Sequence, residues 1–94
     1  MESYAVELYR PKSDPESLRA IADRLDVGAQ IASGEGAVVR YVGTIFLPGD
    51  ETCLHLFEAG SEADVRAVVR RAGIDVDRVV PAELAVDRVG GFVR

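Results

Sequence analysis

One cysteine, one histidine, no tryptophan and a deficit of basic side chains set the first limits on this 94-residue chain. A lone Cys53 cannot close an internal disulfide, and without a CxxC pair there is no redox or zinc-ribbon pattern. The sum of charges is −5, from 16 acidic and 11 basic residues. Nucleic-acid partners select basic patches, so neither a duplex nor an RNA is an expected ligand. The six aromatic residues follow no RNP pattern, which excludes an RNA-reading sheet of the RRM kind. The acidic balance likewise argues against an anionic membrane surface. No apolar run approaches the ~20 residues of a membrane span. The start, MESYAVELYR, lacks a basic stretch followed by an apolar block, so no secretory signal is expected and a cytoplasmic home is.

What is abundant is apolar residues, 48% of the chain, and their densest stretch is residues 38–59, VVRYVGTIFLPGDETCLHLFEA. It reads as two strands joined by a turn at Pro48, Gly49, Asp50 and Glu51. Neither strand alternates cleanly. Val38, Val39, Tyr41, Val42, Ile45, Phe46 and Leu47 fill both parities of the first. Cys53, Leu54, Leu56 and Phe57 do the same in the second. A strand apolar on both parities is expected to be covered on both faces. One domain of this length buries roughly 60–65% of its unfolded surface. It covers one sheet face with its own helices, and a second copy is the expected cover for the other.

Around this centre the periodicities are plain. Residues 4–9 (YAVELY) place Tyr4, Val6 and Leu8 on one parity of a first strand, which Pro11 ends. Ser13, Asp14, Pro15 and Glu16 form a helix start, with Ser13 as cap, Pro15 in the first turn and Glu16 reaching back. Leu18, Ile21, Ala22 and Leu25 then recur at helical spacing. Gly28 marks one end for this helix, residues 30–33 read as a further turn, and Gly34, Glu35 and Gly36 as a loop. These glycines match neither a dinucleotide fingerprint nor a P-loop and are turn residues. Ser61, Glu62, Ala63 and Asp64 start a second helix, whose apolar stripe is Val65, Val68, Val69 and Ala72. Gly73 is placed just past its end. Residues 79–86 form a last strand, confined to an edge or a bulge by Pro81. Residues 87–94 are a short tail holding Gly90 and Gly91.

Strand, helix, strand, strand, helix, strand is the split βαβ, ferredoxin-like plan. The expected fold is therefore α+β: a four-stranded antiparallel sheet with two helices on one face, in a single domain over residues 1–94.

Three segments carry a resemblance. Tyr4-Ala5-Val6-Glu7 is similar to a "YLVER" start. Residues 50–59, DETCLHLFEA, resemble "DETxFCLxEAPS". Arg70-Arg71-Ala72-Gly73-Ile74 with Asp77-Arg78-Val79-Val80 resembles "RRAGLPxDRI". Together they are similar to a family of small ferredoxin-like proteins of uncharacterised function, some of which are described as nickel-binding. The likeness spans most of residues 4–84. It implies a ferredoxin-like fold, dimerisation, and a site for a small ligand or a divalent transition metal such as nickel. The nickel-binding branch has a first-strand histidine where this chain has Glu7 and Leu8. His55 stands where relatives often have cysteine, and Gly60 replaces a proline.

The residues themselves nominate five site positions. His55, the metal candidate, shares a strand parity with Cys53, so both point to one face. Nickel favours imidazole ligands, and metal sites gather three or more donors. The plainer reading is a partly buried histidine bonded to a neighbour. Glu7 and Glu58 are acids in segments that otherwise read as buried. A buried carboxylate requires a partner, and Arg40 on the second strand is the candidate. Tyr41 offers a hydroxyl on the parity opposite Arg40. For these acids a structural ion pair at a dimer interface is the first reading and a ligand-binding carboxylate the second; Glu7, Arg40, Tyr41 and Glu58 are the ligand-binding candidates. No GxSxG elbow exists, Ser17, Ser33 and Ser61 lie in no activating context, and Cys53 sits in an apolar run where a thiol is inert. No catalytic residue is assigned. The expected function is a dimeric, non-catalytic domain that binds a small ligand or metal ion between sheet and partner, or between sheet and helices. Two alternatives stand beside it. One is an enzyme of the dimeric α+β barrel kind, oxygenase- or isomerase-like, with His55 or Glu58 as base and Arg40 or Tyr41 holding substrate. The other is a plain structural module.

Overall fold

Strand β3 states the architecture in eight residues. In a computed structural model that describes residues 1–9 and 14–83, Thr52–Ala59 alternates strictly between half-buried and buried positions. Cys53, His55, Phe57 and Ala59 lie beneath the helices, and Thr52, Leu54, Leu56 and Glu58 face away. The other elements are β1 (Glu2–Tyr9), α1 (Pro15–Gly34), β2 (Val39–Leu47), α2 (Glu62–Arg71) and β4 (Arg78–Ala82). The four strands form one antiparallel sheet in the order β2-β3-β1-β4. This is the ferredoxin-like α+β layout that the order of elements predicts.

Helix α1 begins one residue later than the sequence suggests. Asp14 is the cap, and its side chain accepts from the Ser17 N–H at 2.7 Å. Ser13 lies outside the described residues. The helix then runs unbroken through Gly28 to Gly34. Its buried positions, Ile21, Leu25, Gly28 and Ala29, continue one stripe. Gly28 lies where α2 packs on α1: a β-carbon on it would stand 3.4 Å from Val68 Cγ1, at ordinary contact distance. A residue that elsewhere stops helices here sits buried within one.

Helix α2 follows the sequence closely. Ser61 caps it, accepting from the Asp64 N–H at 3.3 Å. At its far end the N–H of Gly73 donates to Arg70 and that of Ile74 to Val69, the paired bonds of a Schellman motif. Gly73 takes φ of 72°, and Ile74 tucks into the core. Arg24 of α1 donates to the Ala72 carbonyl, and Arg71 reaches Glu35 at 2.9 Å, which ties the two helix ends together.

Strand β4 is an edge strand, as Pro81 requires. Asp77 fastens its start: the Asp77 N–H donates to the Glu7 carbonyl at 3.0 Å, and the Asp77 carboxylate accepts from the Tyr9 N–H at 2.7 Å. Its expected continuation to residue 86, and the tail at 87–94, lie outside the described residues. The core is filled by Val6, Leu8, Leu25, Phe57, Val65, Val68 and their neighbours, between the helices and one sheet face. No helix among the described residues is long and apolar enough to cross a membrane.

Candidate functional site

The uncovered sheet face is built from the odd positions of β1 and the even positions of β3 and β4. Three cross-strand rows describe it. Gly43, Leu56, Ala5 and Val80 form the middle row. Ile45, Leu54, Glu7 and Arg78 lie on one side of it, and Arg40, Glu58, Ser3 and Ala82 on the other. The centre is therefore apolar. Val42, in a register shift between Tyr41 and Gly43, adds to it. Val42 and Ile45 are 49% and 46% exposed, and Leu54, Leu56 and Val80 are half-buried.

Two ion pairs flank this centre at opposite corners. Arg40 Nε donates to Glu58 Oε1 at 3.1 Å. Arg78 Nη2 donates to Glu7 Oε2 at 2.7 Å, with Nε at 3.1 Å from the same oxygen. The expected partner of both acids, Arg40, serves only Glu58. Glu7 pairs with Arg78 because β4, not β2, lies beside β1. Glu58 also lines a shallow cavity of about 160 Å³ with Ser3, Val42, Leu56, Ala82 and Glu83.

The five nominated residues divide between the two faces. Glu7, Arg40 and Glu58 are on the open one. His55 and Tyr41 are on the covered one, so no single pocket holds all of them. His55 is fully enclosed. Its Nδ1 meets the Thr44 hydroxyl at 2.7 Å, and that hydroxyl is also hydrogen-bonded to the Tyr41 phenol. Tyr41 packs edge-on against Phe57, with ring centroids 5.5 Å apart. Burial pushes the Tyr41 phenol above its ordinary pKa, and Asp26 and Asp23 on α1 add to the rise against the lowering effect of the Thr44 bond.

Thr44 is the residue the sequence did not nominate. By simple alternation Tyr41 and Thr44 point to opposite faces. The register shift at Val42 returns them to the same one. The signal was present: Gly43 inside a strand marks a bulge.

This arrangement does not suit the nickel that the family resemblance implies. The imidazole is turned into the core, Glu7 and Glu58 lie across the sheet from it, and both acids are engaged by arginines. Among the described residues no three His, Cys, Asp or Glu side chains gather as a metal-binding group. Nor does the chain unite His55 with Glu58 as an acid–base pair. The open face offers an apolar floor, the Ser3 side chain and two carboxylates, which suits binding of a small molecule or another protein surface.

No family model matches the chain, and no curated protein does. Its fold is similar to the crystal structure of SCO4226 from Streptomyces coelicolor A3(2), with a TM-score of 0.68 and 21% identity over 89% of this chain and 99% of that one. At that identity the likeness speaks to the fold alone, and it agrees with the ferredoxin-like α+β architecture.

Proposed function

We propose that this protein is a non-catalytic, homodimeric ferredoxin-like domain of the cytoplasm that binds a small ligand where two sheets meet. The observation that carries the reading is the layout of the open face. Leu54, Leu56, Ala5, Val80, Val42 and Ile45 form an apolar centre, and the Arg40–Glu58 and Glu7–Arg78 pairs stand at its margin. An apolar core inside a charged rim is the anatomy of a protein interface. The pattern is self-complementary in kind, as a two-fold dimer requires.

In this reading the cavity beside Glu58 becomes the ligand site once a second sheet roofs it. Its walls are mainly apolar, and Glu58 and Glu83 supply acceptors. Such a site selects a small, largely apolar molecule that presents a hydrogen-bond donor. The ion pairs contribute orientation more than affinity, because exposed pairs are weak.

Native mass spectrometry of the untagged protein tests both parts at once. The expected spectrum shows two chains, with a small-molecule adduct that leaves when the dimer is dissociated. A spectrum of single chains that carry nothing, from a protein that is folded under the same conditions, overturns the reading.

A further inference from the structure

The cavity beside Glu58 is ringed by acceptors that nothing in the chain engages. Ser3 of β1 stands opposite Glu58 of β3 on one side and Ala82 of β4 on the other, and Glu83 follows Ala82 directly. Arg40 directs both its Nε and its Nη2 to a single oxygen, Glu58 Oε1. Among the described residues, Glu58 Oε2, the Ser3 hydroxyl and the Glu83 carboxylate take part in no hydrogen bond or ion pair. Ser3, Glu58 and Glu83 all line the cavity, which measures about 160 Å³ and has Val42 and Leu56 as its apolar wall.

We infer that this cavity takes a small primary ammonium ion whose apolar body is about the size of one ring.

The charge balance decides the sign of the ligand. Glu58 and Glu83 bring two carboxylates, Arg40 neutralises one of them, and no described residue lining the cavity is cationic. One negative charge is left unmatched. The inference rests on the paired-sheet reading above. Open to water, that charge is screened and costs little. Roofed by a second sheet, a carboxylate without a partner becomes expensive, and a bound cation removes the expense. An anion or a ligand with acceptors alone would meet the carboxylates unfavourably.

The number of acceptors and the size of the space narrow the class further. An ammonium group has three donors and no acceptor. Glu58 Oε2, Ser3 Oγ and the Glu83 carboxylate are three acceptors around one cavity. A hard metal ion asks for about six oxygens or more, and a wall of valine and leucine offers none. A cavity of about 150 Å³ accommodates benzene, so one ring or a short chain fits against Val42 and Leu56. Because the ligand neutralises a group that pairing buries, it binds the dimer more tightly than the single chain. Linkage then makes the ligand favour dimerisation.

The experiment titrates benzylammonium chloride into the untagged protein at neutral pH and fixed ionic strength, with backbone amide shifts read by NMR. Benzyl alcohol and benzoate are the neutral and anionic counterparts. Benzylammonium should move the amides of Ser3, Leu56 and Ala82 and bind about tenfold or more tightly than benzyl alcohol. Benzoate should leave those amides in place. Glu83→Gln, which keeps the shape and removes the charge, should lower the preference for the ammonium over the alcohol. Sedimentation equilibrium on the same samples should show benzylammonium shifting the chain toward the dimer. If the alcohol and the ammonium bind alike, or if Glu83→Gln leaves the preference unchanged, the inference is overturned. A dimer that binds none of the three probes at these amides also overturns it, and leaves the paired-sheet reading standing. A folded single chain that binds none of them overturns both. A single chain that binds benzylammonium at these amides with the expected preference upholds the ligand class and overturns the dimer.

Discussion

The two faces of the sheet are made from the same strands and meet opposite fates. On β3, Cys53, His55, Phe57 and Ala59 are sealed beneath the helices, whereas Leu54, Leu56 and Glu58 one residue away stay half-exposed. The covered face is finished within one chain, with even its polar group bonded to Thr44. The open face is as apolar at its centre but is bordered by arginine–glutamate pairs. The first pattern serves folding. The second leaves apolar side chains uncovered, which is why β2 and β3 read as apolar on both parities, and in the proposed dimer it is the surface that a second copy covers.

The contrast can be broken most forcefully at adjacent positions of β3. Phe57→Ala removes the largest fully buried side chain and is expected to cost about 3–5 kcal/mol in urea unfolding. Leu56→Ala should cost less, and its cost should grow with protein concentration, since in the proposed dimer what it loses is contact with a second copy. Equal, concentration-independent losses at the two positions would erase the distinction.

A smaller effect sharpens the covered side. The raised pKa of Tyr41, caused first by burial, means that the folded state keeps a proton that the unfolded chain releases at about pH 10. The stabilisation is whole below that value and is lost as pH rises through the raised one. Tyr41→Phe should flatten this alkaline decline, as read by unfolding between neutral and strongly basic pH. An unchanged decline in the variant would assign it to other groups.

The smallest effect belongs to the margin of the open side. A double-mutant cycle on Arg40 and Glu58 should give a coupling below about 1 kcal/mol in dilute protein. It should be larger under conditions where two sheets are paired, because desolvation strengthens the interaction. A large coupling in isolated chains would make the pair a folding element rather than an interface margin.

Most of the fold was legible because periodicity and punctuation agree. Ser61 and Gly73 bracket α2, Pro81 demotes β4 to an edge, and Tyr4, Val6 and Leu8 mark the inner side of β1. Gly28 misleads as a helix end, since it is buried against Val68 of α2, forty positions away, within a helix that continues to Gly34. The site was less legible for a similar reason. Strand parity places Cys53 with His55 and sets Arg40 apart from Tyr41, and the structure agrees. The partner of Glu7 depends on which strand adjoins β1, which local pattern does not state. Thr44 was hidden by the shifted register at Val42, which reverses the parity of everything after it on β2.

The central claim is that the open face is completed by another copy of the chain. Sedimentation equilibrium over a dilution series, run on the unmodified protein and on Leu56→Asp, addresses it most directly. The account predicts a dimer for the first and a folded monomer for the second, since Asp places a charge at the middle of the apolar row. A natural chain that stays monomeric, folded and non-associating throughout the series would contradict it.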